Sequence, residues 1–265
     1  MFDTEFFNLG YLDRLSYQDT FIHRIDPRIK LLSSFMFIVA VVSFPKYAIS
    51  GLLPFFLFPV LFLALGDIPV RFILKKILVV SPFAIFVGIF NPLLDGQPVL
   101  DVLGFTVSLG WVSFASIMLK FSLTISAALL LIATTSFPGI CFAMQKLRIP
   151  KAFVAQLLFL YRYLFVLMEE AMKIVRAREM RSFGKRGKEL KNVVPIIGVL
   201  FMRTVDRAER VYNAMLARSF TGKLYSTKPY ALTTTDILFI IASAGLILLF
   251  RVVNVTALIG KWTIG

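Results

Sequence analysis

Two short stretches carry the most informative spacing in this chain. Met180-Arg181-Ser182-Phe183-Gly184-Lys185 and Ala217-Arg218-Ser219-Phe220-Thr221-Gly222-Lys223 lie 37 positions apart. Each puts an arginine one position before a serine and two before a phenylalanine. An arginine in the last turn of a helix opposes the negative end of the helix dipole. Its planar fork of donors can also grip a carboxylate in bidentate fashion. The small serine lets another surface come close, and the phenylalanine offers an apolar anchor. Either arginine alone reads as an ordinary helix-end charge. The pair, each closing a long helix, points to docking of a partner protein. No reaction chemistry competes with that reading. One cysteine, Cys141, excludes an internal disulfide and a thiolate metal cage. One histidine, His23, follows Phe21-Ile22 ahead of a turn and reads as structural. There is no GxxxxGK[ST] loop for ATP, and neither HExxH nor a paired carboxylate motif sits at a span end. We therefore expect no catalytic residue, no cofactor and no metal site.

The helices that position the two arginines can be traced. Residues 137–230 hold 18 of the 29 Lys and Arg and six of the 15 Asp and Glu, so most of the net charge of +14 lies there. Residues 152–173 are apolar with Arg162, Glu169 and Glu170 interspersed, and the helical pattern continues to Arg181 before Gly184 and Gly187 break it. Pro195 opens a second helix in which Ile197, Leu200, Thr204, Ala208, Val211, Met215 and Phe220 recur at three- and four-residue steps. Arg203, Arg207, Arg210 and Arg218 fall off that stripe, and Gly222 is a plausible stop. Basic amphipathic helices also bind anionic lipid, which accounts for part of this surface. Nucleic acid is not an expected partner, because the usual binding motifs are missing.

The remainder of the chain belongs in a bilayer. Hydrophobic residues make up 58% and charged residues 17% of the 265 positions, against roughly 45–50% and about 25% in soluble domains. Apolar blocks lie at about 31–44, 48–65, 73–94, 109–135 and 237–253, each near the roughly 20 residues a spanning helix needs. The first block is short and borrows from Ile29 or Pro45. Pro54, Pro59 and Pro82 lie inside blocks and predict kinks. Met1 to Lys30 is polar and charged, so no cleaved signal peptide is expected. Arg14, Arg24, Arg28 and Lys30 precede the first block, and Arg71, Lys75 and Lys76 follow the second. The first connection has only Lys46, and residues 95–108 have no Lys or Arg. This alternation puts the N-terminus and the basic stretch in the cytoplasm and the C-terminal tail outside. Lys120 is the one basic residue well inside a block. It either faces a bundle interior or, if the span starts near Phe121, sits at an interface. Asn91 and Thr134-Thr135-Ser136 read as helix-end polar groups. No span has an interior Asp or Glu, so ion-coupled transport lacks its usual carboxylate. The expected fold is all-α: a polytopic membrane protein with about five transmembrane helices and a cytoplasmic helical coupling domain. Residues 1–136 hold the N-terminal segment and four spans, 137–230 the coupling helices, and 231–265 the last span and tail.

Leu12-Asp13-Arg14 followed by His23-Arg24-Ile25-Asp26-Pro27-Arg28-Ile29-Lys30-Leu31 resembles the opening of the transmembrane coupling (T) subunits of energy-coupling-factor transporters. Gln156-Leu157-Leu158-Phe159-Leu160-Tyr161-Arg162-Tyr163-Leu164, then Glu169-Glu170, then Ala177-Arg178-Glu179-Met180-Arg181-Ser182, is similar to the CbiQ branch, which is associated with cobalt uptake. The resemblance covers nearly the whole chain. The family motif at the two helix ends is usually Ala-Arg-Gly or a close variant. Ala217-Arg218-Ser219 fits it. Met180-Arg181-Ser182 departs at its first position, so Arg178 and Arg181 both qualify for the first contact, and agreement with the second motif selects Arg181. The resemblance implies a non-catalytic subunit in the cytoplasmic (inner) membrane of a prokaryote. Its implied partners are two ABC-type ATPase subunits and a membrane-embedded substrate-binding subunit. The terminal arginines would seat in grooves of the ATPases, and closure of the ATPase pair would move the helices and tilt the substrate-binding subunit. Nickel or a vitamin is the alternative cargo, and a stand-alone secondary carrier the alternative class.

Overall fold

The computed structural model describes residues 13, 15–94, 98–102, 105–181, 190–222 and 232–252. The chain forms two compact units, one of residues 12–140 with 230–265 and one built chiefly from residues 141–229.

In the first unit, α1 (Phe21–Arg24) leads into α2 (Pro27–Val42). Asp26 caps α2 by accepting the Arg28 N–H at 2.8 Å. Pro27 occupies the first helical position, where a missing N–H costs nothing. A 3-10 turn, Ser50–Phe56, runs into α3 (Leu57–Gly66), which ends on Asp67 in the left-handed region at φ 48°. Then come α4 (Val70–Gly88), α5 (Phe90–Leu94), the antiparallel strands β1 (Pro98–Val102) and β2 (Phe105–Ser108), and α6 (Leu109–Thr134). Among the described residues the small hairpin is the exception to an all-α protein. It occupies the expected loop, where Val99, Val102, Phe105, Thr106 and Val107 favour extended pairing. The last helix, α10 (Thr234–Val252), returns after the second unit.

Contacts at the helix ends fix the direction of each pass. Lys30, at the start of α2, donates to the Thr134 carbonyl at the end of α6. Lys120, in the middle of α6, donates to the Phe44 carbonyl just past the end of α2, at 2.6 Å. These two helices are therefore antiparallel. The backbone N–H of Asp26 donates to Asp236 at the start of α10, and Arg251 at its end donates to the Ser43 carbonyl, so α2 and α10 are parallel. The 3-10 turn starts beside Phe44, where a Cβ on Gly51 would come within 2.8 Å of the ring, and α3 ends at Gly66 against Thr134. At the end of α4, a Cβ on Gly88 would lie 2.9 Å from Phe114 in the N-terminal half of α6. The result is five alternating passes: α2, the 3-10 turn with α3, α4, α6 and α10.

Packing holds the passes together. Phe37 stacks on Phe58 with ring centroids 4.3 Å apart, and Phe58 meets Phe62 at 4.7 Å. Phe62 and Phe55 reach Phe239 and Phe250 of α10, each at 5.9 Å. Among lipid tails association rests on close contact more than on the hydrophobic effect. Buried Ser113, Ser116, Ala127 and Ala133 let neighbours approach α6.

The lengths differ from the sequence reading in instructive ways. Sixteen-residue α2 is about 24 Å long and starts ahead of its apolar block, as the borrowing from Ile29 anticipates. The third block divides after Gly88 into α4 and α5. Helix α6 runs unbroken from Leu109, so Lys120 lies near its middle and reaches the Phe44 carbonyl just past the short α2. Its ammonium satisfies an orphan carbonyl beyond that helix.

The second unit is a pair of long helices. Past α7 (Phe137–Lys146) and a turn with Arg148 at φ 67°, α8 (Lys151–Arg181) runs 31 residues, about 46 Å. Its partner α9 (Leu190–Ala217) begins five residues before Pro195, so that proline lies inside the helix and does not open it. Among the described residues four stretches are long and apolar enough to cross a bilayer: Val70–Pro92, Leu109–Thr134, Lys151–Arg178 and Thr234–Val252. Ser50–Gly66 is a shorter apolar helix.

Candidate coupling site

The two long helices are antiparallel neighbours. Phe159 in α8 meets Phe220, just past α9, edge to face at 6.4 Å, and Glu170 pairs with Arg203 further along. The arginine ends therefore lie at opposite ends of the pair. Arg181 is 22 residues beyond Phe159 on a single helix, roughly 33 Å away, whereas Arg218 is two residues from Phe220.

How α9 stops explains why the second arginine is presented. The Phe220 N–H donates to the Met215 carbonyl at 3.0 Å and the Ser219 N–H to the Leu216 carbonyl at 2.9 Å. This pair of bonds is a Schellman cap with Arg218 at the C-cap and Ser219 next. Ser219 accordingly takes φ 57°, the left-handed region that suits glycine. The motif thus encodes the cap: a small Ala217, an arginine at the helix end, then a residue that must turn left-handed. Phe220 folds back onto α8 and leaves Arg218 exposed. Ser219→Gly relieves the left-handed penalty and is expected to stabilise the unit by about 0.5–1 kcal/mol, after the extra unfolded-chain entropy of glycine. Thermal unfolding in detergent should show a midpoint raised by roughly 2 °C.

At the other end, Arg181 is the last residue of α8 and is exposed, as is Met180 before it. Arg178, three residues earlier, is half-buried and already engaged. Ser182 and the rest of the first motif lie outside the described residues. Ala217 and Ser219 are exposed beside Arg218.

Between the helices lies a groove of about 920 Å³, which the sequence stripe did not reveal. Leu157, Leu160 and Leu164 line one wall and Ala208, Val211 and Met215 the other. These six residues are apolar and Leu160 is 61% exposed, so the groove is open among the described residues.

A second feature escaped the sequence reading. Lys30, Asp26 and Asp236 are each at least 97% buried. His23 stands beside them: Thr20 Oγ1 donates to its Nδ1 at 2.7 Å, and its Nε2 donates to the carbonyls of Leu15 at 2.9 Å and Ala133 at 3.3 Å. Burial pushes its pKa below the ordinary value against the pull of those carbonyls. The structural reading of His23 agrees with these bonds. Only the Asp-Pro-Arg opening signalled the cluster, because Asp236 lies 210 positions from Asp26 and Thr134 lies 104 from Lys30.

A family model described as the cobalt transport protein CbiQ matches residues 18–230. The chain belongs to the CbiQ family. It is similar to the energy-coupling factor transporter transmembrane protein EcfT of Streptococcus thermophilus, with 30% identity over 258 residues, 88% of this chain and 94% of that protein. EcfT of Leuconostoc gelidum is 29% identical over 259 residues, 89% and 94% of the two chains. EcfT of Bacillus subtilis is 29% identical over 225 residues, 78% and 83%. This CbiQ-family chain is thus a multi-pass membrane protein of the EcfT type, a transmembrane component of energy-coupling factor transporters. The matched span takes in four passes of the bundle, the opening Asp26-Pro27-Arg28 and both arginine helix ends.

Proposed function

We propose that the chain is the mechanical coupling subunit of an ATP-driven importer. Two ATP-binding-cassette subunits seat on Arg181 and Arg218, and a membrane-embedded substrate-binding subunit rests on the apolar α8–α9 groove. The observation that carries this reading is the pair of exposed arginines ending two antiparallel helices some 30 Å apart. Two separate sites of the same chemistry suit two copies of one kind of partner. The chain supplies a lever, and the ATPases supply the reaction. Cobalt is the proposed cargo, on the strength of the family description; nickel or a vitamin is the second reading.

Chain parity supports a cytoplasmic place for the helix pair. The end of α6 and the start of α10 meet at the same end of α2. The intervening chain must therefore cross the bilayer an even number of times. Helix α9 carries Arg203, Asp206, Arg207, Glu209 and Arg210 within eight residues, a segment too charged to span. If α9 does not cross, α8 cannot, although its apolar stretch is long enough. The end of the bundle that bears Arg24, Arg28, Arg71, Lys75 and Lys76 is the cytoplasmic one by the positive-inside rule. With Cys141 replaced by serine, a cysteine placed at Ser219 is expected to react with an impermeant maleimide only in inside-out vesicles. Labelling from outside intact cells would reverse the proposed topology.

Reconstitution separates the classes. Liposomes holding the chain alone should take up no cobalt, and liposomes that also hold both ATPases and the substrate-binding subunit should do so only with ATP. Uptake by the chain alone would establish the stand-alone carrier instead.

A further inference from the structure

We propose that Lys30, Asp26 and Asp236 form a transmission clamp that holds the two bundle helix ends, of α6 and α10, from which the chain runs to the coupling helices. This inference rests on the coupling reading above and assigns the cluster a role within it. The chain runs from the end of α6 to the coupling helices and from them to the start of α10. Both points are held by the first turn of α2. At the exit, Lys30 Nζ donates to the Thr134 carbonyl at 2.7 Å, and His23 Nε2 takes the Ala133 carbonyl one residue earlier. At the return, Asp236 accepts the Asp26 N–H through one carboxylate oxygen and the Thr233 N–H through the other, each at 2.8 Å. Asp26 in turn caps α2, and the Arg28 guanidinium lies 3.7 Å from its carboxylate. Both carboxylates attract the Lys30 ammonium. Exit, return and first pass thus converge on one buried group of charges.

A cluster of this kind is a poor device for stability alone. Desolvating the charges costs several kcal/mol per ion, and well-packed apolar residues of similar volume often serve as well or better. What an ion cluster does better is select one register, because its hydrogen bonds fail if an element slides or rotates. Here the elements so registered are those that must not yield when α8 and α9 move. With the clamp closed, a displacement of the helix pair reaches the bundle as motion of a solid body. With it open, the turn between α6 and α7 absorbs the stroke.

The test follows backbone amides of residues 134–140 by hydrogen–deuterium exchange in the complex with both ATPases, with and without ATP. Lys30→Met removes the exit bond but leaves two buried carboxylates short of a cation. A companion variant, Lys30→Met with Asp236→Asn, lowers that imbalance and guards against simple misfolding. In the parent complex these amides should exchange slowly and equally in both states. In both variants exchange should rise at least tenfold with ATP and much less without it, while the ATPases still co-purify. Exchange that is unchanged, or raised equally with and without ATP, overturns the clamp, because a purely structural loss does not depend on nucleotide. Failure of the parent chain to retain the ATPases would instead overturn the coupling reading, so the two outcomes stay distinct.

Discussion

Reversing both helix-end charges, Arg181→Glu with Arg218→Glu, is expected to abolish retention of the ATPase subunits while the chain still inserts and folds. Both arginines are exposed, and among the described residues neither side chain makes a contact of the kind that holds α8 to α9. Truncating one side of a buried interfacial charge pair costs about 2–5 kcal/mol. Reversal adds repulsion from the acidic groups proposed on the partner. Each site should thus lose at least a hundredfold in affinity, and each single variant should retain one ATPase in place of two. Arg181→Lys and Arg218→Lys keep the charge but lose the planar fork, so a loss of about tenfold per site is expected. Co-purification from detergent, with the ATPase-to-membrane-subunit ratio measured for each variant, gives the answer. Full retention in the double variant would sink the coupling reading, and retention lost only with Arg178→Glu would move the first contact one turn back. Arg178 is the less suited of the two, since it is half-buried and already engaged.

What could be read from sequence follows a physical division. Features set by local chemistry were legible: apolar blocks long enough for a bilayer, the stripe along α9, and arginines at the ends of two helices. The register of the second motif was legible too, although its cause was not. Ser219 at φ 57° shows that the third position is a backbone requirement of the cap as well as a surface feature. Features set by distant pairing were not legible. Asp26 meets Asp236 across 210 positions, and Lys30 meets Thr134 across 104. Lys120 illustrates both halves of this. Its position inside an apolar run was evident, but its partner, the Phe44 carbonyl, depends on how soon α2 ends. Pro195 was a misleading signal, because α9 starts ahead of it.

The groove between α8 and α9 distinguishes the two proposed kinds of partner. If the arginines serve the ATPases and the groove serves the substrate-binding subunit, a substitution in the groove should uncouple uptake without releasing the ATPase on Arg181. Leu160 is suited to the experiment because it is 61% exposed in the chain by itself, so changing it barely perturbs the isolated unit. Covering Leu160 with an apolar partner is worth about 1.5–3 kcal/mol. Leu160→Asp forfeits that and buries a carboxylate whose desolvation costs several kcal/mol more. Association of the substrate-binding subunit, and uptake with it, should fall at least a hundredfold. Retention of the ATPase on Arg181 should stay within twofold of the parent, since that arginine is some 30 Å along the helix from Leu160, whereas Arg218 lies close to the groove through Phe220. Leu160→Met, which keeps an apolar side chain of similar volume, should behave like the parent. Uptake that survives Leu160→Asp would remove the groove from the transport cycle and leave the substrate-binding subunit to dock on the bundle itself.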